Sequence, residues 1–260
     1  MDLTINIVTV VYNDLNGLKA TYSSLIEQSF KEYNWIVIDN DSIDGAQKFM
    51  ESINDVSGPK VQYVRERDEG IYDAMNKGIR CADSGHILFL NAGDVLFDNN
   101  VLLYIDRLIQ ELGEDSVIYG DNILVFGNGI EVYKKSRMPE YIKHSLPTSH
   151  QAIFYPVSFL RGNEYDLRFK ISGDYYITAL AYSNGLKFIK SDLCISKFFV
   201  GGASSLNRGE LSRDMFKVQA DVLGLSLIYR YVSFLKRRFN MLMVDMIYFL
   251  SKNMSFNRKK

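Results

Sequence analysis

The chain has 260 residues, a formal net charge of −1, two cysteines and 47% apolar residues. That length suits one α/β domain with a substantial core. Cys81 and Cys194 form no disulfide framework and point to a reducing compartment, and no apolar run reaches the ~18 residues of a spanning helix. Met1-Asp2 leads directly into the first strand-like run, so a secretory leader is not expected. The near-zero charge hides an asymmetry. Residues 229–260 hold eight Lys or Arg against one acid, Asp245, for a net +7, which leaves −8 on the other 228 residues.

In chain order, Leu3 to Val11 is an apolar, β-rich run that breaks at Tyr12-Asn13-Asp14, and a helical pattern follows through Leu18, Tyr22, Leu25 and Ile26. Trp35 to Ile38 is a second short strand, running straight into Asp39-Asn-Asp41-Ser-Ile-Asp44-Gly45. Three carboxylates within six residues at a strand end are hard to explain as packing. Asp41 and Asp44 serve equally well as caps for the helix after Gly45. Strand, helix, strand with short turns is the signature of a parallel sheet.

Gly70 then ends a loop, and Ile71, Met75 and Ile79 share one face of a following helix. Its polar remainder includes Asp73, Asn76 and Lys77, which a solvated charged face would also explain. Ile87 to Leu90 reads as a buried strand ending in Asn91-Ala-Gly-Asp94. Ligands of open α/β sheets bind outside the carboxyl ends of the strands, so Asp94 stands where a metal or substrate would be. An ordinary surface turn has the same composition.

In the second half, His150-Gln151 sits in a polar turn before a strand-like Ala152 to Tyr155 that ends at Pro156. Further on, Ile171-Ser-Gly-Asp174 opens an apolar helix through Ile177, Leu180 and Ala181. Ser172 or Asp174 suits its N-cap. Ile195 to Val200 is strand-like and runs into Gly201-Gly-Ala-Ser-Ser205, a glycine-rich loop able to offer N–H groups to an anion or to act as a plain linker. Arg208 and Arg213 follow within reach of a phosphate.

Four of these segments, taken together, resemble the family 2 glycosyltransferases. They are Val8-Thr-Val-Val-Tyr-Asn13, Val37-Ile-Asp39-Asn-Asp-Ser-Ile-Asp-Gly45, Asp68-Glu-Gly-Ile-Tyr-Asp-Ala-Met-Asn-Lys-Gly78 and Phe89-Leu-Asn-Ala-Gly-Asp94, in matching order and spacing. More narrowly, the 70–78 run and Ser145-Leu-Pro-Thr-Ser-His-Gln-Ala-Ile-Phe154 are similar to bacterial enzymes of colanic acid, O-antigen or capsule synthesis. The fucosyltransferase branch of colanic-acid assembly is the nearest of these.

The resemblance implies an α/β fold of the GT-A type, a mostly parallel central sheet flanked by helices with a basic amphipathic C-terminal helical tail. A catalytic domain over 1–224, its donor-binding half about 1–98 and its acceptor half about 99–224, would be followed by a basic and apolar tail over 225–260. The implied reaction is inverting transfer of a sugar from a nucleotide-diphosphate donor to a glycan hydroxyl. The implied cofactor is Mn2+ or Mg2+, held by Asp94. Where the family usually has an Asp-x-Asp-like motif this chain has Asn91-Ala-Gly-Asp94, so only the last carboxylate remains; an octahedral cation takes one or two carboxylates plus substrate phosphates. Asp39 is expected on the nucleotide base, Thr9 and Val11 along the base and ribose, Asp68 in the donor-site loop and Asn91 on the donor side. Asp174 matches the family's acceptor-motif base, with Gly173 where an acidic or small residue is expected. His150 and Gln151 are expected near the phosphates, metal or acceptor, and 201–205 as a lid.

The expected partners are a nucleotide-sugar donor, GDP-fucose first and UDP-sugars next, and a polyprenyl-diphosphate-linked acceptor. The mixed basic and apolar tail reads as binding a membrane surface, which with such an acceptor places the protein in the cytoplasm, peripheral on the inner membrane. A helix pair packed on the domain would explain the same tail. Nucleic acid is a poor partner, because the basic residues belong to no recognised fold and the main body is acidic.

Overall fold

The computed structural model describes residues 5–53, 59–113, 115–127, 129–200, 207–240 and 242. Nine strands form one sheet: β1 (Ile5–Val11), β2 (Tyr33–Asp39), β3 (Lys60–Arg65), β4 (His86–Phe89), β5 (Val95–Leu96), β6 (Ser116–Val125), β7 (Glu131–Lys134), β8 (Ile153–Pro156) and β9 (Lys187–Phe199). Their order is β3-β2-β1-β4-β8-β6-β9-β5, with β7 paired to β6. The first four strands in space, β3, β2, β1 and β4, are mutually parallel, as the strand–helix–strand spacing predicts. Beyond β4 the pairing turns mixed: β8 runs antiparallel to both β4 and β6, while β6 and β9 are parallel. One sheet edge therefore collects the carboxyl ends of β1, β2 and β4 together with the start of β8.

Strand β1 is buried along its whole length, which explains its near-continuous apolar sequence. Its alternate residues feed two cores. Ile5, Ile7 and Val11 join Trp35 and the helices α1 (Leu15–Ile26), α2 (Ala46–Ile53) and α4 (Val101–Leu112) on one side. Val8 and Val10 join α3 (Ile71–Cys81), α5 (Val157–Gly162) and α6 (Gly173–Ser183) on the other. Trp35 is fully buried and stacks on Tyr22 with ring centroids 5.4 Å apart.

Helix α3 departs from its predicted face. Met75 and Ile79 are buried, but Ile71 is exposed, and Tyr72 and Asn76 take the inner face instead. Ile71 is the first helical residue after Gly70, whose φ of 126° turns the chain in from the loop; at that position its side chain lies outside the packed turns. Gly78, near the other end, meets β1 directly: a Cβ there would come within 2.4 Å of Val8 Cγ1. β9 is longer than the strand expected over 195–200, because its start over Lys187–Leu193 is only half-buried and lacks clean alternation.

After α7 (Arg208–Asp221), residues 227–240 are helical again. This helix packs on the turn around His144. The expected loop over 201–205 and most of the apolar run from Met241 to Leu250 lie outside the described residues. No helix among the described residues is long and apolar enough to cross a membrane, and Cys81 and Cys194 are free.

Candidate active site

Asp39 closes β2, paired with Val11 at the end of β1. It is wholly buried, and its Oδ1 accepts the Ser42 backbone N–H at 2.9 Å while its Oδ2 accepts the Tyr63 hydroxyl at 2.5 Å. Asp44 proves to be a cap: its carboxylate accepts the backbone N–H groups of Leu15 and Ala46, at the starts of α1 and α2. Asp41, at φ 51°, is held instead by Arg65 at 2.7 Å. Asp68 sits in the loop before α3, where its Oδ1 accepts the Gly70 N–H and its own N–H reaches Asn40 Oδ1, both at 2.9 Å. Burial raises its carboxyl above the ordinary range.

Thr9 is fully buried; its hydroxyl donates to the Leu90 carbonyl at 2.8 Å and accepts the Trp35 indole N–H at 2.9 Å. Val11 points its side chain into the α1 core. Strand alternation sends both side chains to the face of the sheet that packs on α1. The next residue, Tyr12, stands at the sheet edge and is 64% exposed.

The turn 91–94 is fixed from beneath by Thr21 of α1, a residue with no visible signal in the sequence. Its buried hydroxyl lies 2.8 Å from the Asp94 carbonyl and 3.2 Å from that of Asn91, and it accepts the Gly93 N–H at 3.1 Å. Gly17, one turn earlier, lets α1 approach: a Cβ there would fall 2.8 Å from the Gly93 nitrogen. Asp94 itself is only 6% exposed, with Oδ2 accepting Gln151 Nε2 at 2.9 Å. Burial pushes its carboxyl up to about 6, against the opposing pull of Gln151, His150 and the Phe199 backbone N–H.

Across the edge, Asp174 lies in the first turn of α6. Its Oδ1 accepts the Tyr175 N–H at 2.8 Å and faces the Tyr72 hydroxyl at 3.4 Å. Ser172 holds the N-cap position without a side-chain bond. Tyr72 also donates to the Ile171 carbonyl at 3.0 Å. Burial, and then the charge of Asp174, hold its phenol well above the ordinary range, so it stays a donor. The glycine at 173 now has a reason: a Cβ there would meet the Tyr72 ring at 2.9 Å. His150 spans the gap between the two carboxylate regions, with Nε2 3.4 Å from Asn91 Nδ2 and Nδ1 3.4 Å from Asp174 Oδ2. Asn76 is buried rather than on a solvated face, and it brackets the Tyr165 backbone with bonds of 2.9 and 2.8 Å, tying α3 to the segment before α6. Lys134, at the end of β7, is a cation the sequence reading missed. Burial lowers its ammonium while the charge of Asp174 supports it.

The sequence profile described as "Glycosyl transferase family 2" matches residues 6–171, well over half of the chain. The chain belongs to glycosyl transferase family 2. This glycosyltransferase is 26% identical to the "PGL/p-HBAD biosynthesis glycosyltransferase" of Mycobacterium tuberculosis, over 69% of its own length and 70% of the relative's. Among solved structures it superposes on Staphylococcus aureus TarS 1–349 in complex with UDP with a TM-score of 0.67 at 19% identity, covering 92% of this chain and 72% of that one. It also superposes on the Pyrobaculum calidifontis mannosyltransferase PcManGT, in complex with GDP-Man and Mn2+, with a TM-score of 0.64 at 12% identity, over 85% and 64% of the two chains. These likenesses establish the GT-A fold.

The described residues contain no group of three or more His, Cys, Asp or Glu able to hold a metal by themselves. The donor set still fits a hard cation. Asp94 offers a carboxylate, and Asn91 Oδ1 is buried with no hydrogen-bond partner. Two oxygens from one turn, completed by diphosphate oxygens and water, suit Mg2+ or Mn2+. A cleft of about 380 Å³ lined by Asp115, Pro156, Phe159 and Lys187 opens at the opposite edge of the sheet, away from these groups.

Proposed function

We propose that this glycosyltransferase moves a sugar from a nucleotide-diphosphate donor, with inversion, onto a hydroxyl of a lipid-linked glycan during bacterial surface-polysaccharide synthesis. The observation that carries this reading is His150 bridging Asn91 and Asp174, each at 3.4 Å. The Asn91–Asp94 turn and the Asp174 carboxylate thus flank one imidazole, which supports assigning the first to the diphosphate and the second to the acceptor hydroxyl.

The roles follow from chemistry. Asp39 and the exposed ring of Tyr12 take the nucleoside at the ends of β2 and β1. Asp94 and Asn91 would hold a divalent cation, which would supply Lewis-acid neutralisation of the diphosphate. Asp174 accepts the proton of the acceptor hydroxyl as its oxygen bonds the anomeric carbon, and the nucleoside diphosphate leaves from the opposite face with the electron pair of the broken bond. A single displacement inverts the configuration. Tyr72 and His150 keep Asp174 oriented, and Lys134 balances its charge. General-base catalysis of this kind is worth ~10²–10⁴-fold.

TarS has been crystallised with UDP and with UDP-GlcNAc, and PcManGT with GDP-Man, so UDP- and GDP-sugars are the donors to test, with GDP-fucose first among them. A polyprenyl-diphosphate acceptor places the reaction at the cytoplasmic face of the inner membrane. The test is nucleoside-diphosphate release from a panel of UDP-, GDP- and TDP-sugars with Mn2+ or Mg2+, beside Asp94→Ala and Asp174→Ala. Metal-dependent release with one donor, lost in Asp94→Ala, is expected. Release that survives Asp94→Ala places the cation elsewhere, and donor binding without release, even with lipid-linked acceptor, refutes the proposal.

A further inference from the structure

The helix over 227–240 is turned the opposite way from a helix packed on a soluble core. The residues that bond the domain are polar ones, Tyr229, Ser233 and Arg237. Tyr229 stacks on His144 with centroids 5.0 Å apart, its hydroxyl 2.8 Å from His144 Nε2. One turn on, the buried Ser233 accepts Gln219 Nε2 at 2.8 Å. Another turn on, Arg237, 9% exposed, donates to the His144 carbonyl at 2.7 Å and to Ser233 Oγ at 2.6 Å. The outer face is apolar: Ile228, Val232, Leu235, Phe239 and Leu242 are each more than half exposed. At roughly 100° per residue, these five fall within about 80° of arc. Lys236 and Arg238, both exposed, lie on opposite shoulders of that stripe.

We infer that this helix is a docking element that lies in the plane of an anionic lipid surface, with the Ile228–Leu242 stripe entering the acyl boundary and Lys236 and Arg238 reaching the head groups. An apolar stripe flanked by cations is the pattern of in-plane interfacial helices, and long basic side chains bury their stems while keeping the charge in the polar layer. Charge decides between a membrane and a second copy of this chain. The described helix carries Arg230, Lys236, Arg237 and Arg238 and no acid, so pairing two such helices sets cation against cation, whereas each basic residue near an anionic leaflet strengthens binding roughly fivefold. The orientation also serves catalysis. Tyr175, next to Asp174, donates to the Ile142 carbonyl at 2.7 Å, two residues from the His144 platform on which the helix rests, so the lipid-facing element adjoins the acceptor base. Donor identity plays no part in the inference.

The test is flotation of the full chain with phosphatidylcholine vesicles containing or lacking phosphatidylglycerol, with light scattering for oligomeric state. Wild type is expected to float as a monomer with the anionic vesicles alone. Leu235→Asp combined with Phe239→Asp is expected to lower the bound fraction at least about tenfold, while Tyr104→Asp, on α4, leaves it unchanged. Melting temperature and donor turnover in solution check that the variant remains folded; if it does not, Lys236→Glu with Arg238→Glu decides, with the same loss expected. Wild type that fails to float, or variants that float like wild type, overturn the inference. A dimer dissolved by the double variant, without vesicle binding, assigns the stripe to a second copy instead.

Discussion

Replacing Asp94 by Asn is expected to kill the enzyme and stabilise it. The carboxyl rises from 3.8 to about 6 on folding because burial disfavours its charge. A raised acid pKa means that the native state holds the proton more tightly than the unfolded chain. Stability from this group is therefore complete below about pH 4 and lost as pH rises through 6. The shift of ~2 units corresponds to about 3 kcal/mol against the ionised fold at pH 7.5, falling to about 1 kcal/mol at pH 4.5. Asn keeps the shape and an acceptor for Gln151 but cannot ionise. In EDTA at pH 7.5, Asp94→Asn should melt higher than wild type by about 6–12 °C, at roughly 2–4 °C per kcal/mol for a chain of this size. The gap should shrink by about two thirds at pH 4.5. Saturating Mn2+ with nucleoside diphosphate should raise the wild type alone, by about 3 kcal/mol at a hundredfold excess over the dissociation constant. A variant no more stable than wild type at pH 7.5, or a gap independent of pH, would refute the argument that burial sets this carboxylate's proton affinity.

Asp174→Asn should lower kcat by ~10²–10⁴-fold with donor KM little changed, because the loss falls on acceptor deprotonation; a large KM effect with kcat intact would move Asp174 to the donor side. Thr21→Val leaves three polar partners in the 91–94 turn unanswered, and should cost about 1–3 kcal/mol in urea unfolding and raise the Mn2+ needed for half-maximal activity. Gly173→Ala drives a methyl into the Tyr72 ring, and should cost about 1–3 kcal/mol and most of the turnover. Adding Tyr72→Ala should recover stability but not turnover, and a double-mutant cycle would expose additive losses if the two residues do not touch.

Much of this was legible because β1, β2 and β4 are short apolar runs ending in polar turns, a pattern that a buried parallel sheet imposes directly. Asp39, Asp94 and Asp174 stood out for the same reason, a carboxylate at the end of an apolar strand or opening an apolar helix, and the fold brings them to the same edge of the sheet. The side-chain environment of Thr9 and Val11 was not legible, because β1 is buried on both faces and only the helices packed on each face fix which residues meet α1 and which meet α3. The antiparallel half was hidden, since β8 is four residues long and joins β4 to β6 across some thirty residues of intervening chain. Thr21 gave no sign in the sequence; a threonine within an amphipathic helix reads the same whether it faces water or three backbone groups. Tyr72 was visible as part of a motif, but its tie to Gly173 depends on a contact across about a hundred positions.

Gly78 touches no residue of the site, yet it acts on the site as a fulcrum does. Helix α3 is a rigid rod of 11 residues, ~16 Å at 1.5 Å per residue, seated on Val8 near one end and carrying the Asp68 loop and Tyr72 at the other. Any side chain at 78 would lift the seated end, and a tilt of a few degrees there becomes a displacement of about an ångström at the far tip. A fault at this hinge point would register as a misplaced Asp68 loop and a misaimed Asp174 together, so that two separate parts of the sheet edge would shift in proportion from a single lost clearance.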